Sequence, residues 1–463
     1  MKTIGIIAEF NPFHNGHSYL IKKAKAVTGA DNVVVVMSGN YVQRGEPAFM
    51  NKFFRTKVAL ENGADVVIEL PFCYAAASAN YFATGAISLL NSLGIIDYLC
   101  FGCENDNLKL LSSISDVILE EGDTYSKTLQ TYLKSGMSFA KSRMNAIIKS
   151  LALKGIPIDG KELSDILDKP NTILAIEYLS ALKVTKSSMK PVVIKRASQK
   201  TSIGYGSGKS SGNSSGKSTG NTLETNVDSI FRSEHNPSTG SEFIHSDLSS
   251  AHSIRNLYKG KSVYSFSNVK KSLMTAVPEN CIEMLENEYQ ITYPVTMNDF
   301  SQIIGKSIID SKYNDEDLSD LFDTTRDLAN RLLNASTTFN NTEEFVNKCN
   351  SPTITSSRIK RILLYKIFDY KKTDFFTFRD NGYVFYIRVL GFRKNKDTIL
   401  NAIHKNSELP IITKISSSMP SLSPYAKKML SHNMLVDETY RLVVMSKYNS
   451  KIKTEQESGV VMI

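Results

Sequence analysis

His14 and His17 stand three residues apart around Gly16, directly after the apolar run Ile4-Gly5-Ile6-Ile7-Ala8 and directly before a helical pattern. A spacing of three brings two side chains to the same side of a first helical turn. The start of a helix adds unpaired N–H groups and the positive end of its dipole. Imidazole donors beside such amides suit oxygens that gain charge during chemistry at phosphorus, as in a triphosphate under attack. Gly16 has no Cβ to hold a phosphate off the backbone. Metal ligation by the pair fits less well, because no carboxylate or cysteine cluster completes a coordination shell. The competing explanation is that both rings only pack. No Ser-His-Asp or Cys-His arrangement is evident, so no covalent enzyme intermediate is expected.

The elements that must position this pair alternate over the first hundred residues. Strands are expected at Thr3–Ala8, Asn32–Met37, Asp65–Leu70 and Ile95–Phe101, with helices at Gly16–Val27, Asn51–Asn62 and Ala76–Leu90. The four consecutive valines of the second strand have no polar face, so that strand is covered on both sides. Such βαβ units predict an α/β fold with a Rossmann-like parallel sheet, which gathers ligands at the carboxyl ends of its strands. The polar segments Asn11–His17, Ser38–Gly45 and Gly102–Asn105 fall there. Leu108–Ala152 reads as helical with a break at Gly136, Thr172–Leu182 as a helix and Pro191–Lys195 as a returning strand.

The Gly/Ser-rich stretch 206–221 buries nothing and reads as a flexible insertion. Its Gly208-Lys209-Ser210 and Gly216-Lys217-Ser218 follow no strand and lack the full phosphate-loop spacing. Residues 261–463 are expected to be mainly helical, with strands Tyr383–Leu390 and Ile411–Ile415 making a small sheet of a second domain. The first domain then covers 1–260.

The whole chain has 463 residues, enough for two or three cores, and an ordinary composition of 41% hydrophobic and 22% charged residues. Its net charge of +9 leans towards an anionic partner. Five scattered cysteines exclude a disulfide framework and point to a reducing, cytoplasmic setting. Cys100 and Cys103 have the spacing of a redox or metal pair but no second pair nearby, which favours inert thiols. The short first apolar run is interrupted by Glu9 and Asn11, unlike a signal peptide, and no stretch reaches the roughly twenty apolar residues of a membrane span.

The motif Gly5–His17 resembles that of the HxGH nucleotidyltransferase superfamily. Met37–Ala48, Asp65–Pro71, Phe101–Asn105, Pro170–Tyr178 and Ser249–Arg255 extend the resemblance, in order, to bacterial tRNA(Met) cytidine acetate ligases. It spans roughly the first 260 residues, and the C-terminal part is similar only loosely. The resemblance implies an ATP-dependent ligase that forms acetyl-adenylate and passes the acetyl group to N4 of the wobble cytidine of elongator tRNA(Met). It implies ATP, as its magnesium complex, and acetate as substrates, with no obligate protein partner and no membrane.

The implied nucleotide site comprises Ile7, Ala8, Glu9, Phe10, Asn11, Pro12, Phe13, His14, Asn15, Gly16, His17 and Leu20, with Gly102, Asn171 and Arg196. His14, His17 and Arg255 are the catalytic candidates, Arg255 reaching the β- and γ-phosphates from the start of a short helix. The family usually carries threonine where this chain has His252.

Arg44, Lys52, Arg55 and Lys57 are expected near the open edge of the site, with acetate, acetyl-adenylate and RNA all open as ligands of Arg44. Glu9 and Asp65 are carboxylate candidates for magnesium or for structure. An RNA footprint is expected where Arg358, Arg361, Lys366, Lys371 and Lys372 interleave with Tyr365, Phe368, Tyr370, Phe375 and Phe376, unless those rings face the core. Two rival functions remain at this level: a nucleotidyltransferase acting on a small phosphorylated cofactor precursor, and a non-catalytic RNA-binding protein.

Overall fold

A computed structural model describes residues 2–137, 139–196, 250–259, 265–351 and 353–463. The insertion at 206–221 and Ser249 lie outside the described residues. The parallel core is made of β1 (Thr3–Ala8), β2 (Asn32–Ser38), β5 (Val66–Leu70), β6 (Tyr98–Cys103) and β7 (Lys190–Lys195). Between them β3 (Tyr41–Val42) and β4 (Glu46–Pro47) form a separate antiparallel hairpin. The later strands are β8 (Ile387–Phe392), β9 (Ile411–Ile412) and β10 (Val461–Met462).

The sheet runs β10-β8-β5-β2-β1-β6-β7, with β9 beside β8. Strand order reverses at β1, which has β2 on one side and β6 on the other, both parallel to it. A crevice opens at the carboxyl ends of strands flanking such a reversal, here β1 and β6. β2 is buried along its whole length. Val34 and Val36 enter one core and Val33, Val35 and Met37 the other, as period-two alternation requires. Each such side chain contributes about 1.5–3 kcal/mol on burial.

Helix α1 (Asn15–Thr28) follows β1 and ends at Gly29, whose positive φ of 61° lets its N–H reach Lys25 O at 2.9 Å. Helix α2 (Lys52–Glu61) starts at Asn51, whose side chain accepts from Phe54 N–H at 2.9 Å. Across the sheet, helices 79–92 and 170–184 pack together. Pro170 opens the second of these, since its fixed φ suits a first helical position and its missing N–H would have been unpaired there.

The small separate sheet expected near the C-terminus is not what forms. β8 pairs antiparallel with β5, and β10 pairs with β8, so both join the first sheet. The reason is coverage: β5 is buried on both faces and would otherwise be left as a bare edge. The region beyond 260 is otherwise mainly helical and packs into the same core. Tyr440 Oη donates to Ala48 O at 2.9 Å and Tyr365 Oη to Ala76 O at 2.6 Å. Among the described residues, no helix is long and apolar enough to cross a membrane.

Candidate active site

The turn from β1 into α1 is held from behind by a buried arginine. Arg55, on α2, donates Nη1 to the carbonyls of Glu9 and Ser38 at 2.6 and 3.0 Å, Nε to Met50 O at 2.9 Å, and Nη2 to Gly39 O. It therefore ties the carboxyl ends of β1 and β2 together and does not stand at an open edge. Asn11 Oδ1 accepts from Phe49 N–H at 2.7 Å, while Asn11 O accepts from Arg255 Nη1 at 2.7 Å. Arg255, in the short helix Ala251–Asn256, is thus brought onto the turn. Asn15 Nδ2 donates to Thr275 O at 3.1 Å, and Leu20 packs half-buried on the core beneath α1.

His14 is the N-cap of α1, and its Nδ1 accepts from Gly16 N–H at 3.1 Å. His17 Nδ1 accepts in return from His14 N–H at 3.2 Å, closing a capping box made of two imidazoles. The rings stack with centroids 3.7 Å apart and planes 24° apart. Phe10 and Phe13 back the His17 ring at 4.9 and 5.5 Å. A Cβ on residue 16 would meet the His14 ring at 2.9 Å, so the glycine makes room for the stack itself. That is a different neighbour from the phosphate expected from sequence.

These contacts fix the tautomers. A neutral imidazole that accepts at Nδ1 carries its proton on Nε2, so each ring presents one N–H donor. Burial, with Arg196 adding repulsion, lowers the His14 pKa to about 3. Burial also carries His17 well below the usual value, assisted by His14 and then Arg196. Both rings are neutral donors at pH 7.

The sign of the resulting pH dependence is fixed. Below about 6.5 the unfolded chain takes up a proton that folded His14 refuses. Stability contributed by His14 is therefore present above 6.5 and is lost as pH falls towards about 3. Urea unfolding of wild type and His14→Ala should show their stability gap narrowing by about 1 kcal/mol between pH 7.5 and 5.5. A gap of constant size would show that His14 is not held neutral.

The far side of the crevice is built by β6 and β7. Gly102 lies beside Arg196, whose Cγ would be 3.3 Å from a Cβ at that position. Just past β6, Glu104 Oε1 accepts from Asn171 Nδ2 at 2.6 Å, and Oε2 from Thr172 Oγ1 at 3.0 Å. Glu9 closes the near side. Its Oε1 accepts from Gln43 N–H at 2.9 Å, and burial raises its pKa against the pull of Gln43, Arg255, Arg44 and Arg55.

Known proteins resemble this chain along nearly its whole length. The family described as HIGH Nucleotidyl Transferase matches residues 1–229 and 221–456. A tRNA(Met) cytidine acetate ligase of Acetivibrio thermocellus is 34% identical over 95% of this chain and 94% of its own. One from a Thermoanaerobacter species is 36% identical over 96% and 95%. The chain belongs to the tRNA(Met) cytidine acetate ligase family. The crystal structure of Thermotoga maritima TmcAL bound with alpha-thio ATP superposes with a TM-score of 0.81, at 25% identity, over all of both chains.

Within this family fold, several positions read from sequence take other roles. Lys52 is fully buried, with Nζ at 2.7, 2.6 and 2.9 Å from Glu69, Asp437 and Glu455. Those three carboxylates have metal-ligand spacing, but the Lys52 ammonium sits among them. Asp65 precedes β5, at the amino ends of the strands, where it accepts from Val33 N–H at 2.8 Å; the crevice is at the other end. Lys57 and Arg44 are exposed, Arg44 at the tip of the β3–β4 hairpin.

The expected RNA footprint is largely core: Tyr365, Phe368, Tyr370 and Phe375 are buried, and only Phe376 is open at 38%. Its cations are also engaged, Arg358 and Arg361 with Asp323, Lys366 with Glu316 and Lys360 with Glu46. Cys100 and Cys103 are buried thiols; burial pushes Cys100 up to about 12 and raises Cys103. Glu104 and Asp437 were not singled out from sequence, because each acts through a partner distant in the chain.

Proposed function

We propose that this chain activates acetate with ATP and transfers the acetyl group to N4 of the wobble cytidine of elongator tRNA(Met). The observation that carries the reading is the stacked pair of neutral imidazoles whose Nδ1 atoms are both occupied. One acetate oxygen attacks the α-phosphorus, the bond to the bridging oxygen breaks, and pyrophosphate leaves. Nε2–H of His14 and His17 donates to α-phosphate and pyrophosphate oxygens as charge builds there. Arg255 takes the outer phosphates with the guanidinium nitrogens that Asn11 leaves free. Segment 7–20, Gly102, Asn171 and Arg196 hold the nucleotide. Acetate needs this activation because its own oxygen is a poor leaving group, whereas AMP leaves readily from the mixed anhydride. The cytidine amine then attacks the acetyl carbon, AMP departs and the amine loses a proton.

Magnesium carried in with ATP would neutralise phosphate charge, and Glu9, the carboxylate on the turn, would be the residue to support it. The unpaired anticodon loop offers its base without the cost of opening a helix, and exposed Arg44 and Lys259, which both act on His252, flank its approach. No protein partner is required by this scheme.

Incubation with ATP, labelled acetate and total tRNA, followed by nucleoside analysis, tests it. Label is expected in N4-acetylcytidine and to depend on ATP. Acetate-independent pyrophosphate release, or label in any other nucleoside, would defeat the reading.

A further inference from the structure

We propose that Glu104 is a positioning residue that turns the Asn171 amide so its carbonyl oxygen accepts a hydrogen bond from a donor on the bound nucleoside. The proposal rests on the reading of this crevice as the ATP site and adds how the site tells one nucleoside from another.

An asparagine amide has a donor end and an acceptor end of nearly equal shape, so its orientation must be imposed by a neighbour. Glu104 imposes it. A carboxylate only accepts, and its Oε1 lies 2.6 Å from Asn171 Nδ2. The other carboxylate oxygen is engaged by Thr172 Oγ1 at 3.0 Å, and Thr172 Oγ1 in turn accepts from Cys103 Sγ at 3.4 Å. The relay runs in one direction, from thiol to hydroxyl to carboxylate. It holds Glu104 in place from two sides.

The amide nitrogen is therefore committed to Glu104, and Asn171 Oδ1 faces away from it. Among the described residues no donor meets Oδ1. Its place in the fold makes this acceptor useful. Asn171 stands in the first turn of helix 170–184, Glu104 directly follows β6, and Gly102 two residues earlier leaves the crevice floor open beside Arg196. A nucleoside laid over Gly102 comes within reach of the rim that Asn171 occupies.

A fixed acceptor there selects for a donor: the exocyclic amine of adenine or a ribose hydroxyl. A base with a carbonyl in place of the amine would set two acceptors against each other. Sites built to bond a polar group reject analogues lacking it, because the site's own group is then left unpaired.

The test uses the full chain, with ATP, ITP and 2′-deoxy-ATP as probes. ITP lacks the amine donor and 2′-deoxy-ATP lacks one hydroxyl donor. Titration calorimetry on wild type should show one analogue binding about tenfold more weakly than ATP, and that analogue identifies the donor. Glu104→Gln presents an amide that can pair with either end of Asn171, so the orientation is no longer imposed. Its ATP Kd should rise about tenfold and its discrimination should shrink to about twofold, while kcat for acetate-dependent pyrophosphate release changes less than about twofold.

Asn171→Ala should lose the same discrimination, and adding Glu104→Gln to it should weaken ATP binding no further. This pair also answers the case in which Glu104→Gln alone fails to fold, because Asn171→Ala must then abolish discrimination by itself. Equal affinity of wild type for all three nucleotides overturns the proposal. So does an undiminished Glu104→Gln effect in the Asn171→Ala background. Failure of wild type to bind ATP would instead sink the nucleotide-site reading on which the proposal stands.

Discussion

His17→Ala is expected to slow acetate-dependent adenylation about 10²–10³-fold, measured as pyrophosphate release, while the protein remains folded. Removing one pre-aimed donor to developing charge typically costs about 3–4 kcal/mol at the transition state. The His17 donor is pre-aimed because its other nitrogen is tied to His14 N–H at 3.2 Å, and its face is clamped by His14 at 3.7 Å. Nothing has to reorganise as charge develops. The same substitution also removes half of the capping box, at about 1 kcal/mol of stability.

His17→Gln separates the two effects. A glutamine three residues after the N-cap can still accept from the N-cap N–H and keep the box, but its amide is not stacked on His14. Its melting temperature should match wild type, with activity recovered only in part. Full-rate pyrophosphate release by a folded His17→Ala protein would show that the pair does not serve the phosphates.

What was legible in the sequence was whatever is local. The strands around Val33–Val36 and Val66–Leu70 announce themselves because a doubly covered strand has no polar alternation, and the histidine pair because it interrupts an apolar strand just before a helix. Boundaries moved by only a few residues where caps decide them; Asn15 and Asn51 are examples on either side of a helix start. Illegible were roles set by partners far along the chain. Lys52 reads as a cation near the open edge of the site until Asp437 and Glu455 arrive from 385 and 403 residues away. The rings of 365–375 alternate with cations, as an RNA-binding stretch would. Helical packing nevertheless buries most of the rings and pairs Arg361 with Asp323 and Lys366 with Glu316. β8 was recognised as a strand but not as a partner of β5, because pairing partners leave no mark in either strand's pattern.

The second large effect belongs to that buried cluster. Lys52→Met should destabilise the protein by about 3–5 kcal/mol, because it strips the shared cation from Glu69, Asp437 and Glu455 and leaves buried charge uncompensated. Arg388 remains, 3.4 Å from Glu455, but one guanidinium faces three carboxylates. Burial already holds the Asp437 carboxyl well above its usual range, with Lys52 opposing that shift. Without Lys52, folding favours protonation of the cluster still more. The folded variant then binds more protons than the unfolded chain, so its stability falls as pH rises. The deficit against wild type should accordingly be larger at pH 8 than at pH 5 in urea unfolding.

Adding Asp437→Asn should recover part of the loss, since removing a carboxylate along with the ammonium lowers the stranded charge. The damage should also reach the crevice. Asn40 Nδ2 donates to Asp437 Oδ1 at 2.8 Å, and Asn40 Oδ1 accepts from Lys52 N–H at 2.8 Å, so the loop after β2 is fastened to the C-terminal helix 424–448 through this cluster. A deficit that is the same at both pH values, or a double variant worse than Lys52→Met alone, would mean that packing and not charge holds the two regions together.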